Sequence, residues 1–253
     1  MTLSFRQKEI LNMVRASGRV EVDPLAESLQ VTPQTIRRDL NALCDEGHLT
    51  RIHGGAILQS GVANTAYEAR KSMSAEAKAA IGQLCADAIP DDASLFINIG
   101  TTTESVARAL RTRRDLLVIT NNLNVANIMA GNPNCGVMVT GGMLRRSDGG
   151  LVGEQTLDAV QQFKADYAII GASAIDEDGS LLDFDYREVR VSQAIIANAR
   201  KVFLVADASK LTRSAPARIG HMRDIDGFFT DKPLPAPLAQ ICGQHGVEVH
   251  SIG

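Results

Sequence analysis

The segment Thr32-Pro33-Gln34-Thr35-Ile36-Arg37-Arg38-Asp39-Leu40 decides the fold of the N-terminal part of the chain. Thr32 suits the N-cap of a helix and Pro33 its first position, because the hydroxyl accepts a free backbone N–H and proline needs no donor there. Ile36, Leu40 and Leu43 then predict one buried stripe. Amide and guanidinium groups opposite this stripe are typical of a helix that reads base edges in the major groove of DNA. The predicted contacts are Thr32, Gln34, Thr35, Arg37, Arg38 and Asn41.

Two shorter helical patterns precede this segment. Residues 5–14 show helical periodicity. Asp23 and Pro24 suit the N-cap and first position of a second helix, and only residues 30–31 separate that helix from the Thr32 cap. Two short helices joined by so brief a turn are typical of a helix-turn-helix.

A β-hairpin is predicted directly after the third helix. Residues 49–52 and 56–58 are strand-like and flank a turn at 53–55 that contains two glycines. A hairpin in this place is a wing, whose tip would bring Arg51 or His53 to phosphates or into the minor groove. Residues 1–58 are therefore predicted to form a winged helix-turn-helix domain.

The charge of the chain excludes a protein that coats nucleic acid electrostatically. The net charge is -3 over 253 residues, and residues 1–60 carry seven basic and seven acidic side chains. A DNA reader with this balance must work through a few well-placed groups. Double-stranded operator DNA is thus predicted as a partner from the placement of residues and not from composition.

Composition also predicts the compartment and the absence of cofactors. The four cysteines lack the paired spacing of a zinc site or a disulfide scaffold. The two histidines nearest the wing, His48 and His53, have no neighbouring metal ligands in sequence. No apolar run approaches the ~18 residues of a membrane helix, and the N-terminus lacks an apolar signal core. We expect a cytoplasmic protein without metal, cofactor or membrane contact.

The remainder of the chain predicts an α/β domain. Residues 59–73 have the small, polar character of a linker, although 67–71 could instead begin the next helix or couple the two domains. In residues 74–253, short apolar runs alternate with helical patterns, which predicts a mainly parallel sheet with helices on both faces.

Polar residues are concentrated where the predicted strands end. Parallel sheets bind ligands at the carboxyl ends of their strands, and a glycine followed by hydroxyls at a helix start can hold a phosphate. A small phosphorylated sugar or polyol is the predicted ligand, with Arg145 and Lys210 as candidates for binding its charge. The other predicted effector residues are Gly100, Thr101, Thr102, Thr103, Asn121, Gly141, Gly142 and Asp176.

The chain resembles the DeoR family of bacterial repressors over nearly its whole length. The likeness rests on V-T-P-Q-T-I-R-R-D-L and R-I-H-G-G-A near the N-terminus. Farther along it rests on F-I-N-I-G-T-T-T, T-N-N-L-N-V-A-N, G-G-x-L-R, D-G-G-L-V-G-E, D-G-S-L-L-D-F-D-Y-R-E-V-R and V-A-D-A-S-K. It implies a homo-oligomer, dimeric or tetrameric, whose sensor domain resembles ribose-5-phosphate isomerase. Such a repressor releases DNA when a phosphorylated effector binds, and sn-glycerol 3-phosphate is the favoured one.

Three alternatives to this function stay open at this point. The same architecture could sense a different sugar phosphate, and an isomerase-like enzyme is the more distant possibility. The resemblance places the two catalytic aspartates of the isomerases at Ile170 and Ser173, while Glu188 and Lys210 match. Without those aspartates we expect ligand binding without turnover, with Glu188 among the effector residues. A DNA-binding activator is not excluded by any residue.

Overall fold

The chain is described by a computed structural model over residues 3–17, 19–46, 48–52, 54–58 and 67–252. It divides into two compact units, residues 1–65 and 66–253. Within these described ranges, the first unit contains α1 (Phe5–Ser17), β1 (Arg19–Glu21), α2 (Val22–Ser28), α3 (Pro33–Asp45), β2 (Leu49–Ile52) and β3 (Gly55–Leu58).

The first unit is a helix-turn-helix packed on a small sheet. The stripe predicted on α3 is buried, since Ile36, Leu40 and Leu43 are each 0% exposed. Thr32 caps α3 as predicted, and its hydroxyl accepts the Thr35 N–H at 3.2 Å. The predicted cap of α2 is wrong, because the helix begins at Val22 and the N-cap is Glu21 instead of Asp23. Burial of the Val22 side chain draws that residue into the helix.

The wing is larger than the predicted hairpin. Strands β2 and β3 pair antiparallel from Leu49↔Leu58 to Ile52↔Gly55. Strand β1 adds to the other side of β3, which gives the described strands the order β1-β3-β2. Gly54 in the turn has φ +76°, a conformation that favours glycine. His53 and Gly47 lie outside the described residues.

The second unit is built from alternating strands and helices. In its first half, helices and strands are α4 (Tyr67–Ser72), α5 (Ala75–Asp87), β4 (Ser94–Ile97), α6 (Thr101–Ala109), β5 (Leu116–Thr120), α7 (Leu123–Met129), β6 (Cys135–Val139), β7 (Met143–Arg145), β8 (Gly150–Val152) and α8 (Glu154–Gln161). The second half has β9 (Ala165–Ile170), β10 (Ala174–Ile175), β11 (Ser180–Asp183), α9 (Tyr186–Ala197), β12 (Ala199–Val205), β13 (Ala217–His221), β14 (Gly227–Thr230), α10 (Ala236–His245) and β15 (Glu248–Ser251).

The prediction of a parallel sheet with helices on both faces is confirmed. Among the described residues, seven parallel strands have the order β15-β14-β12-β9-β4-β5-β6. One face packs on α5, α6 and α7 around Leu95 and Val118, and the other packs on α8, α9 and α10 around Phe96 and Phe228. Because the strands are parallel, their carboxyl ends meet at one edge. No described helix has both the length and the apolar character that a membrane span requires.

Two additions to the main sheet were not predicted. A small antiparallel sheet, β10-β11-β13, and a hairpin, β7-β8, are added beside the main sheet. Helix α4 lies within the stretch predicted as linker; of that stretch, residues 59–66 are outside the described residues. Ser74 is the N-cap of α5, but its backbone is left-handed (φ +51°) and its side chain makes no capping bond.

Candidate functional site

The polar face of α3 is open to solvent. Gln34, Arg37, Arg38 and Asn41 are exposed, while the apolar stripe opposite them is buried. Thr32 and Thr35 differ from these four, because their hydroxyls lie 2.9 Å apart and take part in capping the helix. The side chains free to reach base edges are therefore the two arginines and the two amides.

Helix α3 is also tied to α1 by one ion pair that sequence reasoning missed. Asp39 is buried on α3, and its carboxylate accepts the Nε–H of Arg6 at 2.5 Å. An unpaired carboxylate at this place on α3 would repel DNA phosphates, and the pairing with Arg6 neutralises it. Arg6 thus positions α3, and its spacing of 33 residues from Asp39 left no local signal.

Arg51 has a structural bond in the wing. Its Nη1–H donates to the carbonyl of Gly55 at 2.8 Å, across the turn between β2 and β3. The side chain is exposed, so the remaining guanidinium donors face solvent. The geometry suits a phosphate contact from the wing.

In the sensor unit, the start of α6 forms the predicted hydroxyl-rich turn. Gly100 is the N-cap, and Thr101, Thr102 and Thr103 follow as buried residues of the first turn. The Thr103 hydroxyl is engaged locally, since it donates toward the carbonyls of Asn98 and Gly100 at 2.8 Å. The first N–H groups and the positive end of the helix dipole make this turn suited to an anion.

A basic cleft of about 530 Å³ opens beside this turn. It lies between α5 and α6, and it contains three cations and no carboxylate among its lining residues. Its lining is Lys71, Ala75, Lys78, Ala79, Gln83, Thr101, Ser105, Arg108 and Ala109.

Lys78 joins this cleft to a buried group of cations. Lys78 is 3% exposed and Lys210 8%, with Arg213 and Arg70 close enough to repel the Lys210 ammonium. Burial and the charge of Arg213 lower the pKa of Lys210 to about 7. Burial likewise lowers the pKa of Lys78 and of Arg213.

Three carboxylates act on these cations. Asp207 attracts Lys210, Arg213 and Lys78, Glu104 also attracts Lys78, and Asp148 pairs with Arg70 at 3.5 Å. Burial alone would raise the pKa of Asp207, but the neighbouring Lys210 and a bond from the Ser209 N–H lower it. With Arg70 paired to Asp148, the three cations Lys78, Lys210 and Arg213 face the two carboxylates Asp207 and Glu104, so the site keeps a net buried positive charge. Such an excess is costly unless an anion binds there.

Arg145 lies in a different kind of cluster. Its guanidinium donates to Asp148 at 2.9 and 2.6 Å, to Asp185 at 3.0 Å and to Glu188 at 2.5 Å. Burial and the neighbouring Asp183 raise the pKa of Glu188, although Arg145 opposes the shift. Burial works against ionisation of Asp185, yet bonds from Arg187 and Arg145 lower its pKa to about 2. Because three carboxylates occupy its donors, Arg145 does not offer the free charge predicted for a phosphate.

The other predicted effector residues are only partly brought together. Asn121 is fully buried, donates to the Leu151 carbonyl at 3.1 Å and keeps an Oδ1 that has no hydrogen-bond partner among the described residues. Gly141 and Gly142 pack against Thr156, whose hydroxyl donates to the Gly141 carbonyl at 2.8 Å. Asp176 lies at the turn between β10 and β11 and lines a separate cavity of about 80 Å³.

Lys78, Arg70, Arg213 and Asn98 were missed. Lys78 carries a signal in hindsight, because it precedes the buried Ile81 and Cys85 by three and seven residues on α5 and so continues their stripe. Asn98 directly follows β4 and donates to the Ser192 hydroxyl at 2.8 Å. Arg70 and Arg213 lie far from the motifs in sequence and have no such signal.

The two units of the chain each match a known family of protein domains. Residues 6–62 match the DeoR-like helix-turn-helix domain, and residues 73–232 match the DeoR C terminal sensor domain. The chain belongs to the DeoR family. The same two units, a winged helix-turn-helix and a parallel α/β sensor domain, therefore define a DeoR-family regulator.

Three similar family members are named as repressors. The chain is 44% identical over 244 residues to the glycerol-3-phosphate regulon repressor of Escherichia coli (strain K12), covering 96% of this chain and 97% of that one. It is 46% identical over 230 residues to the protein of the same name from Haemophilus influenzae, covering 91% and 90%. It is 41% identical over 244 residues to the HTH-type transcriptional repressor CsqR of E. coli, covering 96% and 94%.

Solved structures that the chain resembles share less sequence identity with it than these repressors do. Ribose 5-phosphate isomerase from Plasmodium falciparum is 13% identical, with a TM-score of 0.39 over 53% of this chain and 52% of that one. The eIF2B beta of Chaetomium thermophilum is 14% identical, with a TM-score of 0.48 over 68% and 54%.

Proposed function

We propose that this DeoR-family protein is a sequence-specific transcriptional repressor that releases its operator when a small phosphorylated polyol binds. The glycerol-3-phosphate regulon repressors that it resembles make sn-glycerol 3-phosphate the first candidate. The observation that carries the proposal is the buried excess of cations beside the hydroxyl-rich start of α6.

The phosphate is the part of the ligand that this site fits best. Its oxygens would accept bonds from Lys78, Lys210 and the first turn of α6, and charge-assisted bonds of this kind are about twice as strong as neutral ones. The dianion would also remove the mutual repulsion of the cations. Gly100, Thr101, Thr102 and Lys210 thus keep their predicted role, and Lys78 and Arg213 are added to it.

We assign the hydroxyl groups of the polyol to Asn121 and to the carboxylates that surround Arg145. Asn121 Oδ1 is a buried acceptor that a ligand hydroxyl would satisfy. Glu188 and Asp185 are further acceptors, held in place by Arg145. Gly141 and Gly142 would shape the edge of this region, and Asp176 has no part in it.

The protein is proposed to bind without turnover. Its similar relatives are named as repressors, and Glu188 is tied to Arg145 at 2.5 Å instead of standing free as a general base. The cleft of about 530 Å³ is larger than a three-carbon phosphate needs, so a longer sugar phosphate is the second candidate ligand.

On DNA, at least two copies are proposed to act together. Residues 1–60 have seven basic and seven acidic side chains, so one domain has little bulk attraction for phosphate. Helix-turn-helix proteins read two half-sites about one helical turn apart. A homodimer or homotetramer would supply the second α3.

Reciprocal titrations test this function. An operator obtained by in vitro selection is titrated with the protein at several concentrations of sn-glycerol 3-phosphate, and ligand affinity is measured with and without operator. If the ligand weakens operator binding by some factor, the operator must weaken ligand binding by the same factor. Glycerol without the phosphate is the control and should have no effect. Tight ligand binding with unchanged operator affinity would contradict the proposal.

The ligand affinity should also depend on pH in a defined direction. In the free protein, Lys210 loses its proton above a pKa of about 7, among Lys78, Arg70, Arg213 and Asp207. A bound phosphate raises that pKa, so binding above pH 7 takes up a proton and weakens by up to about tenfold per pH unit. Below about pH 6 the phosphate loses its second charge. We expect the tightest binding between about pH 6 and 7.

Calorimetry at pH 8 in two buffers of different ionisation enthalpy measures this proton uptake. We expect up to one proton taken up by the wild type, and none through this site in a Lys210→Met variant. If the binding enthalpy of the wild type is the same in both buffers, no proton is taken up, and this role for Lys210 is ruled out.

A further inference from the structure

Helix α4 is held on the sensor unit by three sets of bonds, which we call the α4 clamp. The Tyr67 hydroxyl lies 2.9 and 3.0 Å from the two carboxylate oxygens of Glu104. The Arg70 guanidinium pairs with Asp148 at 3.5 Å. The Lys78 ammonium donates to the carbonyls of Arg70 and Met73 at the end of α4.

Residues of the clamp are also residues of the proposed phosphate site. Glu104 directly follows the three threonines in the first turn of α6. Lys78 lines the basic cleft together with Thr101. Arg70 lies among the buried cations, where its charge repels Lys210 and Lys78. A phosphate bound in this place would compete for groups that now hold α4.

Arg70 has a buried donor that the described part of the chain leaves unsatisfied. Its side chain is 14% exposed, and its Nε is buried without a hydrogen-bond partner among the described residues. Its partner Asp148 already accepts two shorter bonds from Arg145, at 2.9 and 2.6 Å. A buried guanidinium donor without an acceptor is costly, and a phosphate oxygen would satisfy it.

We propose that Arg70 is a phosphate ligand and that Arg70 and Lys78 transmit effector binding to α4. The inference rests on the proposed function and concerns the same site. An ammonium group has three donors, and two of those on Lys78 are used by carbonyls of the clamp. A phosphate dianion is a stronger acceptor than a carbonyl oxygen. Binding therefore exchanges bonds that fix α4 for bonds to the ligand.

The release of α4 affects the DNA-binding unit through the polypeptide connection between them. Eight residues, 59–66, separate the last strand of the wing from the start of α4. When the clamp is closed, the end of this connection that joins α4 is fixed, because α4 is held on the sensor unit. Opening the clamp frees that end, and two copies of α3 lose the spacing that reading two half-sites requires. The ligand acts because the closed and open clamps bind it with different affinity.

Two substitutions on α4 test this inference, because they should move ligand affinity in opposite directions. Arg70→Gln removes a ligand contact, and we expect the Kd for sn-glycerol 3-phosphate to rise about 10- to 100-fold. Tyr67→Phe removes only the hydroxyl and weakens the closed clamp. We expect it to lower that Kd about three- to tenfold and to weaken binding of the selected operator, because a smaller fraction of the protein then has the closed clamp. Matched controls are Arg200→Gln, at an exposed ion pair, and Tyr167→Phe, on β9.

The outcomes separate the clamp from a merely structural role of α4. A helix needed only for folding would shift both variants in the same direction, which would overturn the inference, as would a Tyr67→Phe protein with both affinities unchanged. If the wild type does not respond to sn-glycerol 3-phosphate, the proposed function has failed for that ligand. The clamp then stands or falls on whether Tyr67→Phe alone weakens operator binding relative to Tyr167→Phe.

Discussion

Replacing Lys210 with methionine is expected to abolish the response to effector and, at the same time, to stabilise the fold. The Lys210 ammonium is buried beside Lys78, Arg70 and Arg213, with Asp207 as the nearby carboxylate. Removing one partner of a buried, hydrogen-bonded charge pair costs about 2–5 kcal/mol of binding, which is roughly 30- to 4,000-fold in affinity. Methionine has a similar length and fills the same space without a charge.

The gain in stability follows from the sign of the pKa shift. A lysine whose folded pKa is about 7, below its ordinary value of 10.5, binds its proton less well in the folded state. The folded state is therefore penalised below pH 10.5, and the penalty is complete below pH 7. Removing it should raise the free energy of unfolding by about 1–4 kcal/mol at pH 6 and by progressively less as the pH rises toward 10.5.

Ligand calorimetry, operator binding and thermal unfolding at pH 6 and 9 check this prediction together. Lys232→Met, at an exposed position, is the matched control and should leave all three measurements unchanged. Operator affinity without ligand should stay at the wild-type value, which gives a repressor that cannot be released. A Lys210→Met protein that unfolds at lower temperature than the wild type would show that the lysine is a structural partner and not an anion ligand.

Loss of either exposed arginine on α3 should weaken operator binding without changing the sensor. Arg37 and Arg38 stand on the solvent face of a helix whose other face is buried in the core of the first unit. A base-directed arginine is worth about 1–3 kcal/mol of discrimination, or roughly 5- to 150-fold per half-site. The effect would apply twice in a dimer on a symmetric operator. Arg37→Ala and Arg38→Ala should both retain wild-type ligand affinity and thermal stability.

The salt dependence of binding decides what each arginine touches on the DNA. If the arginine binds a phosphate, its removal should make the log–log salt slope shallower by about 0.9, whereas removal of a base-reading arginine should relax sequence preference. Arg223→Ala, at an exposed position in the sensor unit, is the matched control. If neither α3 substitution weakens binding to the selected operator, α3 is not the reading helix.

Much of the fold follows from local sequence. The alternation of strands and helices in residues 74–253 was predicted, and the helix cap at Thr32 was predicted with its mechanism. Apolar periodicity and cap chemistry act over a few residues, so they are legible in sequence. The start of α2 was misplaced because burial of Val22 extends the helix past its best capping residue. Helix α4 was left open as one of two alternatives for residues 67–71, because six residues are too few for a clear periodic signal.

In the sensor site too, some features follow from local sequence and others do not. The turn at Gly100–Thr103 and Lys210 follow the ends of β4 and β12 within a few residues, where a ligand site of a parallel sheet is expected. Arg145 was expected there as a free charge, but three carboxylates hold it: Asp148 is three residues away, and Asp185 and Glu188 lie at the start of α9. Which charges neutralise one another depends on distances between segments up to 43 residues apart, and those distances have no signature in the order of residues.

By itself, the sequence determined the class of the protein: a winged helix-turn-helix that exposes Arg37 and Arg38, followed by a parallel α/β sensor domain with a hydroxyl-rich turn. These features depend on local periodicity, capping and the chemistry of short motifs. Only the tertiary structure decided that Lys78, Lys210 and Arg213 form a buried excess of positive charge and that Arg145 does not belong to it. The physical reason is that the strength of a charge depends on its burial and its partners, and both are set when distant segments pack together.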